Sequence, residues 1–127
     1  MSTTLKLLSY PTNSNGLTLT TNAVAWTFSD WQPIAKIITQ DIDITSLRFQ
    51  ITTVLSTDTT CEQLFEIGIN QGAGIVTKIQ LPTSTRNDTA VGFYVTPDRI
   101  FLPEPYTVRA GASIYVRVAQ SIASIRY

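Results

Sequence analysis

Histidine is missing from the 127 residues, and its absence excludes more chemistry than any residue present suggests. Without an imidazole base, Ser-His-Asp and Cys-His catalysis fall away, and the commonest transition-metal ligand goes with them. Cysteine occurs once, as Cys61, which rules out an internal disulfide framework, leaves that residue to packing and leans towards a reducing cytoplasm. Charge is sparse: nine basic side chains stand against nine acidic ones, so neither nucleic acid nor an anionic membrane is expected as a partner. No apolar run is long enough to span a bilayer, and residues 1–13 lack the apolar core of a signal peptide. A protein soluble when made is expected. Apolar spacing at 3.6 residues, the mark of an amphipathic helix, is absent as well.

What is present is β-branched. Thr, Ile and Val number 20, 14 and 8, a third of the chain, and such residues favour pleated, half-buried surfaces. The length suits one domain, residues 1–127, with a core that needs neither metal nor disulfide. At its centre lies CEQLFEIGINQGAGIVTKIQLP, residues 61–82. Alternation puts Phe65, Ile67 and Ile69 on one face, and Ile75, Ile79 and Leu81 on one face of a second run. Asn70-Gln71-Gly72-Ala73-Gly74 separates them, a polar, glycine-rich gap that reverses the chain. The two runs read as an antiparallel hairpin.

Around that hairpin, further strands are expected. Leu5 and Leu7 mark an edge strand or an arm (residues 1–10) laid on a neighbouring chain, and residues 11–16 form a turn. Strands follow at residues 17–21 and at 24–28, where Val24, Trp26 and Phe28 alternate and Trp26 is assigned to the core. Trp31 falls in a polar loop ending at Pro33 and is expected to be exposed. Residues 34–44 read as one strand covered on both sides, and residues 47–56 as a long strand burying Leu47, Phe49, Ile51 and Leu55. Later strands centre on Val91, Phe93 and Val95, on a short or edge segment at residues 100–102 among Pro97, Pro103 and Pro105, and on Ile114, Val116 and Val118. A tail at residues 121–127 carries Ile122, Ile125 and Tyr127. Eight to ten short strands with little or no helix predict an all-β, single-domain antiparallel β-sandwich, with a jelly roll as the expected arrangement.

Few residues invite a chemical role. Paired acids for glycoside hydrolysis are available among Asp41, Asp43, Glu62, Glu66, Asp98 and Glu104, with Asp41 and Asp43 about 7 Å apart on one strand face. Such pairs arise in almost any chain of this size, and solvated or capping acids are the expected outcome. The Gly72-Ala73-Gly74 stretch leads into a strand rather than a helix, so it does not cradle phosphate. Arg109 and Arg117 could contact a phosphate or carboxylate, but solvation or pairing within an assembly is the expected outcome. Trp31, Tyr94, Phe101, Tyr106 and Tyr127 are candidates for a sugar-stacking platform or a subunit contact. No catalytic residue, cofactor or metal is assigned.

Phe65-Glu66-Ile67-Gly68-Ile69, Gly72-Ala73-Gly74, Leu81-Pro82, Leu102-Pro103 and Ala110-Gly111 leading into Val116-Arg117-Val118 fall in an order and spacing that carry a resemblance. From Cys61 to the end, including the small polar residues 119–124, the chain resembles a family of bacteriophage head-decoration (cement) or accessory virion proteins with a β-sandwich fold. It departs from the family in having Arg109 where a proline commonly precedes the Ala-Gly turn. The resemblance implies a virion protein on the outer surface of the capsid, often a homotrimer, with the major capsid protein and further copies of itself as partners. Leu5, Leu7, Trp31, Arg109, Ile122, Ile125 and Tyr127 are the candidate contact residues. Two other classes compete: a tail or fibre module that binds host glycans, and an enzyme built on paired acids.

Overall fold

The computed structural model describes residues 17, 19–20, 24–49, 59–87 and 98–121. Their regular structure is all strand: β1 (Gln32–Ala35), β2 (Ile42–Phe49), β3 (Thr59–Asn70), β4 (Ile75–Asn87), β5 (Asp98–Val108) and β6 (Ser113–Gln120). These make two antiparallel sheets, one ordered β1-β6-β3-β4 and one pairing β2 with β5. Among the described residues there is no helix, hence none long and apolar enough to cross a membrane. The strands expected around Leu5 and Leu7, Ile51 and Leu55, and Val91 to Val95 lie outside the described residues, as does the tail with Ile122, Ile125 and Tyr127.

The expected hairpin is β3 and β4. Phe65 faces Leu81 and Ile67 faces Ile79 across the ladder, and at the turn the Gly72 N–H donates to Asn70 Oδ1 at 2.8 Å. Gly72 and Gly74 take φ of 120° and 86°, values that only glycine adopts without strain. Ile75, however, does not share a face with Ile79 and Leu81. The register shifts between Ile69 and Asn70, so that Ile69 pairs with Thr77 and Asn70 with Ile75. This bulge moves Ile75 to the opposite side of the sheet, because a one-residue slip exchanges the faces of a strand.

Residues from both sheets fill one core. Phe65, Ile67, Ile69 and Leu81 of β3 and β4, and Ile114, Val116 and Val118 of β6, pack with Phe49 of β2 and Val108 of β5. The Phe49 and Phe65 rings, 4.7 Å apart between centroids and tilted by 43°, join the two sheets directly. Leu19 and Ile38 close the cluster from outside the strands.

Further expectations are corrected. Residues 34–44 are two strands in different sheets, since the chain crosses between sheets at residues 36–41. Ile38 anchors that crossing, donating to Ala112 O at 2.9 Å and accepting from Gly111 N at 2.7 Å, which explains the mixed parity of the isoleucines there. Residues 24–28 form a turn rather than a strand, and Trp26 is 52 % exposed instead of core, with φ of 60°. Residues 100–102 lie in an edge strand of the described sheet, as expected, but in a longer one: β5 contains Pro103 and Pro105 within a bulge, where Thr45 alone faces residues 102–105 between the Ile44–Tyr106 and Ser46–Phe101 pairs. Prolines survive there because a bulge requires no ladder donor from them. Polar residues 29–33, expected as a loop, end inside β1, whose place at the sheet edge accommodates Pro33.

Ile37, in the crossing, has φ of 48° and is 68 % exposed. A β-branched residue in the left-handed region is disfavoured by about 1–2 kcal/mol, and this one regains little through burial. Ile37→Gly is therefore expected to stabilise the folded chain by about 1 kcal/mol, read as a higher urea midpoint at unchanged slope. A lower midpoint would show that Ile37 is held by packing instead.

Candidate functional site

One face of the larger sheet carries a dense group of interacting polar and aromatic side chains. Antiparallel pairing sets Glu66 of β3 between Arg117 of β6 and Gln80 of β4, so three polar residues far apart in sequence meet at one height. Arg117 Nε and Nη2 both donate to Glu66 Oε1, at 2.9 and 2.6 Å, and Gln80 Nε2 donates to Oε2 at 2.9 Å. The Glu66 side chain is 2 % exposed and that of Arg117 21 %.

The cation is enclosed as well as paired. Its guanidinium carbon lies 4.1 Å from the Phe28 ring centroid and 4.2 Å from that of Trp31, within cation–π range of both. Residues 26–29 are drawn along β6 to supply these rings: Trp26 N donates to Gln120 O at 2.8 Å and Ser29 N to Val118 O at 2.9 Å. Ser29 Oγ in turn accepts from Val118 N at 3.1 Å. Beneath the Trp31 ring lies Gly68. A Cβ at that position would stand 2.8 Å from Trp31 Cη2 and Cζ3 and 2.6 Å from Ile75 Cγ2, so only glycine leaves space for the indole. The bulge that turned Ile75 to this face therefore completes the wall beside Trp31.

Burial by itself would push the Glu66 carboxyl up, but hydrogen bonds from Gln80 and Arg117 and the charges of Arg117 and Lys78 outweigh it. The group lies below the ordinary glutamate value. A general acid needs the opposite shift, so Glu66 is an anchored anion rather than a proton donor at neutral pH. Two of the other acids considered, Asp41 and Asp43, are tied by hydrogen bonds too. Asp41 Oδ1 accepts from Ala110 N at 2.8 Å, and Asp43 Oδ1 accepts from Thr107 Oγ1 at 2.6 Å. Among the described residues no cluster of acids and cysteine is placed to hold a metal ion.

The sequence-derived candidates separate. Trp31 is half-buried over Gly68, not exposed in a loop. Arg117 is held within its own chain, contrary to the expectation of a solvated or intersubunit arginine. Arg109 is exposed and lies 3.6 Å from Asp41, a surface pair of little energetic weight. Phe101 is exposed, and Tyr106 packs against the core. Leu5, Leu7, Tyr94, Ile122, Ile125 and Tyr127 lie outside the described residues. The sequence contained one signal for the Glu66 cluster, charged residues at the outward parity of strongly apolar strands, but their meeting depends on register. In comparison with known proteins, the chain matches no family model, and no curated protein or solved structure is similar to it.

Glu66→Gln leaves Arg117 largely buried without a counter-ion, and a loss of about 3 kcal/mol is expected in denaturant unfolding. Because the folded carboxyl titrates below the unfolded one, its contribution is complete above the ordinary glutamate pKa of about 4.3 and fades as pH falls through the lower folded value. The wild-type protein should therefore lose more stability below about pH 4.3 than Glu66→Gln does; parallel acid curves would contradict this. Gly68→Ala should displace Trp31, costing about 1–3 kcal/mol and making tryptophan fluorescence more quenchable by acrylamide.

Proposed function

We propose that this chain is a bacteriophage virion structural protein, a decoration protein that binds the outside of the head and stabilises contacts between capsid subunits. One observation carries the reading. The residues behind the family resemblance, scattered over residues 65–118, largely converge on three adjacent strands: Phe65 faces both Leu81 and Val118, and Ile67 faces Val116. The two small-residue turns, Gly72-Ala73-Gly74 and Ala110-Gly111, come to the same end of the sheet, where Asn70 pairs with Ser113.

In this proposal the two sheets are the halves of a single-domain β-sandwich of eight to ten strands with jelly-roll connections. Copies associate as a homotrimer on the capsid surface, after synthesis in the host cytoplasm, with the major capsid protein as partner. The arm at Leu5 and Leu7, the tail at Ile122, Ile125 and Tyr127, and exposed Arg109 supply contacts with neighbours. Trp31 serves such contacts indirectly, by fixing the segment before β1 against the sheet. No cofactor and no catalytic step enter.

A second reading, a tail or fibre module that binds host glycans, draws on Trp26. Its indole is 52 % exposed on a turn pinned by the bond from Trp26 N to Gln120 O, as a sugar-stacking ring would be. It takes the place first given to Trp31.

Copy number in purified particles, measured by quantitative mass spectrometry against the major capsid protein, separates the two. A simple ratio to that protein is expected for decoration. A few copies per particle would favour the glycan-binding module, and absence from particles would overturn both. Deleting residues 122–127 is expected to spare folding and abolish attachment to heads, whereas Trp26→Ala should leave attachment intact.

A further inference from the structure

We infer that the segment ending at Ala35, with Trp31 and β1, exchanges between copies of this chain, leaving its own β6 and taking the same place on a neighbour. Among the described residues β1 is an edge strand paired only with β6, so it can depart without dividing a sheet. Just beyond it the chain is fixed again, because buried Ile38 is bonded in both directions to the Gly111–Ala112 turn. Only Lys36 and Ile37 lie between, both exposed, with Ile37 at φ of 48°. A short connector in a disfavoured conformation is the arrangement that invites exchange, since extending Ile37 relieves it and carries β1 away from its own body.

The receiving site explains why the occupant is a second copy. The notch over Gly68, walled by Ile75, admits an indole, and the Arg117 guanidinium beside it is faced by that same ring. A neighbour's Trp31 meets identical atoms, so exchange conserves the contacts at little cost. The described residues on the N-terminal side of Lys36 travel too, including buried Leu19, which a neighbour's Leu19 replaces. Simple strand addition is the less favourable way for copies to join at β1, because Pro33 has no N–H to offer and Lys36 follows it. This inference concerns how copies join, and it stands whether or not the protein attaches to phage heads.

Pro33 and Tyr115 face each other across the β1–β6 ladder, a separation that a disulfide can span. In a Cys61→Ser background, Pro33→Cys protein and Tyr115→Cys protein are refolded together at high concentration and oxidised. A disulfide-linked heterodimer on a non-reducing gel is expected, with a several-fold lower yield when Ile37→Gly is added to both. The doubly substituted single chain shows that the pair can close. Absence of the heterodimer overturns the inference, and so does a yield that Ile37→Gly leaves unchanged.

Discussion

A carboxylate with almost no exposure is tolerable only if its charge is answered on the spot, and the larger sheet is arranged around that requirement at Glu66. Arg117 and Gln80 supply three hydrogen bonds to the carboxylate, from the strands on either side. Arg117, brought partly out of water by this pairing, is then covered by Phe28 and Trp31. Covering it recruits the segment before β1, and seating the indole demands glycine at position 68. A chain of local necessities thus runs from one buried acid to the path of a segment far from it in sequence.

The hairpin was legible because alternation and turn composition reported the same event in β3 and β4. Isoleucines in the same strands misled where geometry broke the alternation. Ile75 changed faces at a bulge that no residue announces, and Ile34 and Ile42 were divided between two sheets by a crossing that Ile38 anchors. Trp26 and Trp31 exchanged their expected roles for a related reason. Periodicity assigns a side chain to a face only if a strand exists, and residues 24–28 form a turn instead. The Glu66 cluster was hidden differently: its members were visible as outward-facing polar residues, but sequence does not give the register that brings Glu66 and Arg117 opposite each other.

Function rests on a different kind of support from fold. The two sheets and their shared core follow from packing, whereas the virion role we propose rests on a resemblance whose residues gather on neighbouring strands. At the Glu66 site the charges are neutralised in place, and the acid is held ionised.

Prolines stand in β1, β4 and β5, as Pro33, Pro82, Pro103 and Pro105. Each removes a donor from a strand that borders a sheet among the described residues, so these margins are poor templates for an incoming strand. An open strand edge is a template on which further chains can add, and at high concentration such addition seeds fibres. Margins interrupted by proline resist such addition, and among the described strands β2 is the margin left without one.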